Sequence, residues 1–415
     1  MYLSGSKWSV KKRRRRSNPW RIFFLLMLIA GGVYLERVVV PTVPPLFIQT
    51  PIPTRSPASF ALEAETLFEA GKLVQAEQSY QDAIRSAPQE PAFFIELARI
   101  QVFLGRYDEA VTNASNALLL DPNSALANAV LGWALDFQGG ESILDALQRV
   151  ETAIAQEPES ALINAYYAEV LIDSEITNFE PARAAAEKAV RLDPNLVEAH
   201  RALGYVWELT GNYDQAFESY QAALRINPNL AILHIALGNM YMNPESPNLS
   251  QAREAYLKAV GLAPEDVTPL RLVAQSYARE GEFGKASQYS ANAVELQPEN
   301  ARLHGDLGRM FYKNQNFEQA IEHLGLAIHG GETEAGVLVE SIKLDPGDPF
   351  SVELYYTYGL ALAKGNRCSL ATDIAEALIT GVPEDEIAVF NAQEILILCG
   401  LIEPTSTPAS ETASP

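Results

Sequence analysis

Apolar residues between Val197 and Pro228 fall in two runs at helical spacing. The first run carries Leu203, Gly204 and Trp207, and the second carries Ala216, Tyr220 and Ala223. A Gly211-Asn212 pair separates the runs, and Asn227-Pro228 closes the second. Three- and four-residue spacing places side chains on one helix face, and Gly-Asn and Asn-Pro read as turns. The pattern predicts two helices joined by a tight turn. Gly204 and Ala216 allow close backbone approach, Trp207 and Tyr220 fill the space around them, and Pro228 cannot continue a helix. One such unit cannot bury its apolar face alone, so copies must stack beside it.

The copies are present. Closing prolines fall at Pro88, Pro122, Pro158, Pro194, Pro228, Pro264 and Pro298, with gaps of 34, 36, 36, 34, 36 and 34 residues. Ala76, Ala110, Ala146, Ala182, Ala216, Ala252, Ala286 and Ala320 keep register, and each is followed seven residues later by another alanine. Leu-Gly recurs at Leu131-Gly132, Leu203-Gly204, Leu237-Gly238 and Leu307-Gly308. The longer units carry two extra residues near the turn between their helices, around Gly139-Gly140, around Glu175 to Asn178, and in Asn243 to Pro247.

The run His200-x2-Leu203-Gly204-x2-Trp207, then Gly211-x-Tyr213, Ala216, Tyr220, Ala223 and Pro228, resembles the tetratricopeptide repeat, whose period is about 34. The resemblance covers roughly residues 58–400. It implies an all-α fold, a right-handed helix–turn–helix superhelical solenoid of about nine repeats. After Ala327 the pattern breaks. Glu332 to Leu344 is rich in β-branched residues around Val337 to Ile342 and reads as extended, a short hairpin within an irregular insertion over about 330–346. A degenerate ninth unit follows, with Tyr358-Gly359, Ala371, Ala375 and Pro383. Glu386 to Leu401 reads as a capping helix over the last apolar face. Solenoid is therefore expected over 58–401 and a disordered Ser/Thr/Pro-rich tail over 402–415.

The amino-terminal region differs. Lys11 to Arg16 is a basic run, and Ile22 to Leu35 is apolar or small throughout. Fourteen residues cover about 21 Å, short of a ~30 Å hydrocarbon core, whereas Trp20 to Val40 would cover about 31 Å. This predicts a basic cytoplasmic terminus over 1–19, a transmembrane signal anchor over 20–40, and a stiff Pro-rich linker over 41–57. The positive-inside rule would then put the solenoid outside the cell membrane in a single-pass topology. A cleaved signal peptide with Ala30-Gly31-Gly32 at its end is the competing reading.

Charge sharpens this division. The net charge is −21, but ten of the 31 basic and one of the 52 acidic residues precede residue 58. The remainder is at about −30, which argues against a nucleic-acid partner.

No catalytic constellation is visible: no phosphate loop, GxSxG elbow or HExxH. The chain therefore reads as a non-enzyme with no cofactor, catalytic residue, metal site or small-molecule substrate. His200, His234 and His304 share one repeat position near the start of a first helix, where packing is their simplest role. Cys368 and Cys399 lie 31 residues apart, close to one repeat. They read either as a disulfide pinning the carboxy-terminal cap or as two buried thiols.

The resemblance further implies that first helices line a concave groove. Its positions map to Glu65, Phe68, Arg99, Phe103, Trp133, Asp136, Phe137, Glu169 and Asp173, then to Glu198, Arg201, Tyr205 and Glu208. Arg271, Arg279, Arg302, Arg309 and Lys313 follow as a basic strip in two adjacent units. That strip is the candidate site for an acidic peptide or a carboxylate terminus, with the aromatic Phe103, Trp133 and Phe137 as the alternative. The clamp by which some relatives hold chaperone termini is incomplete, because Ile235 stands where a lysine is expected near Asn239. The expected function is a membrane-tethered protein–protein interaction scaffold. A component of an export or assembly machinery, or the regulatory arm of an enzyme encoded elsewhere, is the alternative.

Overall fold

The computed structural model describes residues 18–35, 37, 55–174, 178–243 and 247–403, and the chain divides into two units, Met1–Arg55 and Ser56–Pro415. In the first unit a single helix, α1 (Pro19–Tyr34), is started by Asn18, whose side chain accepts from the Trp20 backbone N–H at 3.2 Å. It has 16 residues, which at about 1.5 Å each reach roughly 24 Å. A bilayer core is about 30 Å. No helix among the described residues is long and apolar enough to cross a membrane. This overturns the transmembrane anchor expected over 20–40, and with it the cell-membrane location and the extracytoplasmic solenoid. The window over 20–40 reaches the thickness of a bilayer core only by including Glu36-Arg37, whereas α1 spans Pro19–Tyr34. The basic run at 11–16, most of the linker and the tail beyond 403 lie outside the described residues.

The second unit is a helical repeat solenoid, with nine helix pairs and a final helix among the described residues. The pairs are α2 (Pro57–Glu69) with α3 (Leu73–Ser86), α4 (Pro91–Phe103) with α5 (Tyr107–Leu120), and α6 (Ala125–Gln138) with α7 (Ile143–Gln156). Next come α8 (Ala161–Ser174) with α9 (Glu180–Leu192), α10 (Val197–Leu209) with α11 (Tyr213–Ile226), and α12 (Ala231–Tyr241) with α13 (Leu249–Leu262). Then follow α14 (Val267–Arg279) with α15 (Phe283–Leu296), α16 (Ala301–Lys313) with α17 (Phe317–His329), and α18 (Pro349–Lys364) with α19 (Cys368–Gly381). The last helix is α20 (Glu386–Leu398).

Side-chain size explains the packing. All sixteen in-register alanines are at most 1% exposed. They sit where second helices meet their neighbours and leave no room for a larger side chain. The Leu-Gly positions work the same way. A Cβ on Gly204 would stand 2.8 Å from the Tyr220 ring, one on Gly238 2.3 Å from Tyr256, and one on Gly308 2.6 Å from Leu324. The turn within a pair needs one left-handed residue, supplied by Gly71, Gly105, Gly211 and Gly281 and, in the last two pairs, by Gln315 and Asn366.

The three histidines of the shared position tie successive units. His200, His234 and His304 place Nε2 at 2.9, 2.8 and 2.9 Å from the carbonyls of Pro194, Pro228 and Pro298. Asn164 does the same for Pro158 at 2.8 Å. A closing proline lacks an N–H, but its carbonyl is left for the next helix to satisfy.

The break after α17 is a two-stranded antiparallel hairpin, β1 (Gly331–Glu332) and β2 (Leu338–Val339), with Gly331 opposite Val339 and Glu332 opposite Leu338. Val339 is buried, and the Ile342 N–H donates to the Ala327 carbonyl at 2.8 Å, which seats the insertion against α17. Of the three lengthened turns, the first holds a short 3-10 turn (Gly140–Ser142), while residues 175–177 and 244–246 of the others lie outside the described residues.

Candidate functional site

The early units curl back on the middle ones. Asn227 donates from Nδ2 to the Phe68 carbonyl at 3.3 Å, across 159 residues of sequence. Gly71, in the first turn, abuts Asn229. Arg106, just before α5, lies 3.8 Å from Glu265, and Arg99 of α4 bonds both Glu198 of α10 and the Tyr166 hydroxyl of α8. The first helices of the early units therefore face those of the middle units directly.

That closure decides the fate of the aromatic candidates. Phe68, Phe103, Trp133 and Tyr166 form one row, with ring centroids 5.5, 5.4 and 4.3 Å apart in succession. Phe137 branches from Trp133 at 5.6 Å and stacks on Tyr107 at 5.2 Å. Phe103 is 7% exposed and Trp133 is fully buried, so neither offers a surface to a partner. Phe137, like Phe68 at the end of the row, is partly buried. The expected aromatic groove is core, because the opposite wall of the superhelix covers it.

Four of the five strip cations do converge. Arg271, Arg279, Arg309 and Lys313 line one cavity of about 430 Å³ between α14, α15 and α16, floored by Ala274, Ala278, Phe283, Leu303 and Met310. Arg302 is elsewhere, bonded to Asp348 at 2.7 Å with its guanidinium 4.9 Å from the Phe350 ring centre. Carboxylates answer two of the four. Asp306 lies 3.0 Å from Arg271 and 3.2 Å from Arg309, and Glu353 lies 2.6 Å from Arg309. Arg279 and Lys313 are exposed and make no ion pair among the described residues. The continuous strip of five is therefore a cavity of four, half neutralised. Asp306 stands three residues before Arg309, a helical ion-pair spacing.

A second cavity, of about 380 Å³, opens between α6, α8, α10 and α12. Its floor is a buried ion pair. Arg201 bonds Glu169, and Trp133 donates its indole N–H to the same Glu169 Oε2 at 2.7 Å. Arg201 also lies 5.0 Å from the Trp133 ring centre and 5.6 Å from that of Phe137. Burial pushes the Glu169 carboxyl up to about 7 despite Arg201. Asp136 is also raised, by burial and then by the neighbouring Asp173. Tyr205 donates to Asp173 at 2.7 Å and Tyr220 to Glu208 at 2.6 Å. The sequence placed these residues in the groove but gave no reason to join them.

Cys368 and Cys399 are joined by a disulfide, with Cα atoms 5.5 Å apart. It ties the first residue of α19 to the end of α20. Among the described residues no group of three or more His, Cys, Asp or Glu has a metal-holding arrangement.

Comparison with known proteins bears on this architecture. One tetratricopeptide-repeat family model matches residues 174–231 and 271–333, and another matches residues 67–135. No curated protein matches the chain in sequence. The crystal structure of the APC/C hetero-tetramer Cut9-Hcn1 is similar at a TM-score of 0.57 and 17% identity, over 81% of this chain and 63% of that one. This chain thus spans less than two thirds of its length, and the likeness is one of fold. Yeast Tom70 gives a TM-score of 0.42 at 15% identity, over 92% of this chain and 87% of that one. A thermophilic repeat protein of Thermus thermophilus gives 0.39 at 24% identity, over 46% and 100%. The class is a helical repeat solenoid. The stretches that the family models match, residues 67–135, 174–231 and 271–333, are tetratricopeptide repeats.

Proposed function

We propose that the solenoid is a protein-interaction scaffold whose partner presents an acidic segment, or a terminal carboxylate, to the cavity between α14, α15 and α16. The observation that carries this reading is the pair Arg279 and Lys313, two exposed cations on one cavity rim with no carboxylate partner among the described residues. Arg271 and Arg309 are already held by Asp306 and Glu353 and act as a pre-positioned wall. The alanines and Met310 beneath give the partner's side chains an apolar floor.

Charge-assisted bonds from the two free cations contribute roughly 1.5–3 kcal/mol each. The test is a pull-down with full-length protein and the Arg279→Glu/Lys313→Glu variant. The expected result is loss of the principal partner at an unchanged melting temperature, together with weakening of the wild-type complex as salt rises. Full partner recovery by the variant would refute the cavity as the docking site. Arg302→Glu is the control, since Arg302 lies outside the cavity and should leave binding intact.

A further inference from the structure

We propose that the cavity between α6, α8, α10 and α12 binds an alkylammonium group. It is separate from the α14–α16 cavity, so the two proposals stand or fall independently. Four carboxylates, Asp136, Glu169, Asp173 and Glu208, face one guanidinium, Arg201. Arg201 is held back against Trp133 and Phe137 and satisfies only one oxygen of Glu169. Glu169 is 2% exposed, yet its other oxygen, Oε1, has no hydrogen-bond partner, and neither does Oδ1 of Asp136. A buried carboxylate oxygen left without a donor is costly, and a ligand N–H supplies what is missing. An ammonium carries three donors and a full charge, so it can serve both oxygens at once. Ile232, Ile235 and Ala236 of α12 form an apolar wall for the alkyl stem.

Of the other groups facing the cavity, Arg201 Nε also lacks a partner, Asp136 shares a hydrogen bond with Asp173, and the rest are engaged. Tyr205 and Tyr220 donate to Asp173 and Glu208, Tyr107 stacks behind Phe137, and Arg99 with Glu198 and Tyr166 stands behind Arg201. Burial and mutual repulsion hold protons on Asp136 and Glu169, and an incoming ammonium displaces them. Binding therefore releases protons and strengthens as pH rises from about 6 to about 8.5, still below the ~10.4 at which an alkylamine loses its charge.

The test is calorimetric titration of the full chain with 1,4-diaminobutane, with an acetylated Gly-Lys-Gly amide, and with 1,4-butanediol. We expect saturable one-to-one binding of an amine, none of the diol, and a loss of at least tenfold in Glu169→Gln and in Asp136→Asn. Diamine binding alone marks the ligand as a free small amine, and peptide binding alone marks it as a lysine side chain. Should Glu169→Gln fail to fold, Asp136→Asn decides, because Asp136 lies outside the ion pair. Absence of binding by either amine, equal binding of the diol, or unchanged affinity in Asp136→Asn overturns the proposal.

Discussion

Gly71 lies against Asn229: a Cβ on Gly71 would stand 2.2 Å from the Cβ of Asn229. Gly71 sits in the turn of the first helix pair, and Asn229 in the turn between the fifth and sixth. This contact is where the superhelix closes on itself. Gly71→Ala should cost about 1–3 kcal/mol through overpacking, in addition to strain at φ +71°. Gly211→Ala is the control, with φ +77° and nothing within 4 Å of the added Cβ. Urea midpoints should fall further for Gly71→Ala; equal losses would show that the contact does not hold the closure.

Arg201→Met should be among the most damaging single changes in the chain. It removes the main partner of buried Glu169, whose carboxyl is already pushed up to about 7 and must then take up a proton; breaking a buried pair in this way costs about 3–5 kcal/mol. Adding Glu169→Gln should recover part of the loss, because the orphaned carboxyl is gone. A double-mutant cycle without coupling would refute the pair as a structural element.

His323 makes stability depend on pH. Its Nδ1 lies 3.1 Å from His304 Nδ1, while His304 Nε2 faces the Pro298 carbonyl. Burial, then His304, lowers His323 from 6.5 to about 4. Between those values the unfolded chain takes a proton that the folded chain refuses. The contribution is therefore full above about 6.5 and is lost as pH falls toward 4. The stability of His323→Phe relative to wild type should rise as pH is lowered from about 7 to about 4. A constant difference across that range would contradict this.

The disulfide should act on the carboxy-terminal end alone. Thiol labelling of denatured, unreduced protein should find no free thiol. Reduction should weaken the end of the array by about 2–4 kcal/mol, the usual range for one bond. Hydrogen exchange should then quicken in α18, α19 and α20 and stay unchanged in the early units.

Gly204→Leu tests local coupling, since even a Cβ there meets Tyr220 at 2.8 Å. Amides of α10 and α11 should exchange first, followed by those of the adjoining pairs, because coupling in a stack is between neighbours. Uniform acceleration along the whole array would be the opposite result.

The helix pairs were legible because their causes are local. Ala216, Gly204 and Pro228 each act through size or a missing N–H on residues a turn or one helix away, and a single period displays that. The extended insertion after α17 was legible too, from the β-branched run over Val337 to Ile342. The expected membrane anchor is overturned because α1 has 16 residues, and length along a helix, not composition, decides a span.

The candidate sites were legible only as lists of residues. Sequence places Phe103 and Trp133 on groove-facing positions, but not what stands opposite them. Likewise it puts five cations on two units, while Asp306 and Glu353 reach them from neighbouring helices. Glu169 and Arg201, 32 residues apart, meet only when α8 and α10 are packed.

The nine helix pairs, the register of their alanines and the capping helix are thus written in the residue order, because side-chain volume and backbone chemistry act within one unit and its neighbour. The closure of Gly71 on Asn229, the burial of the aromatic row and the gathering of carboxylates around Arg201 arise only in the folded superhelix. Those depend on small rotations between repeats, summed over five units, and no single unit carries that sum in its residues.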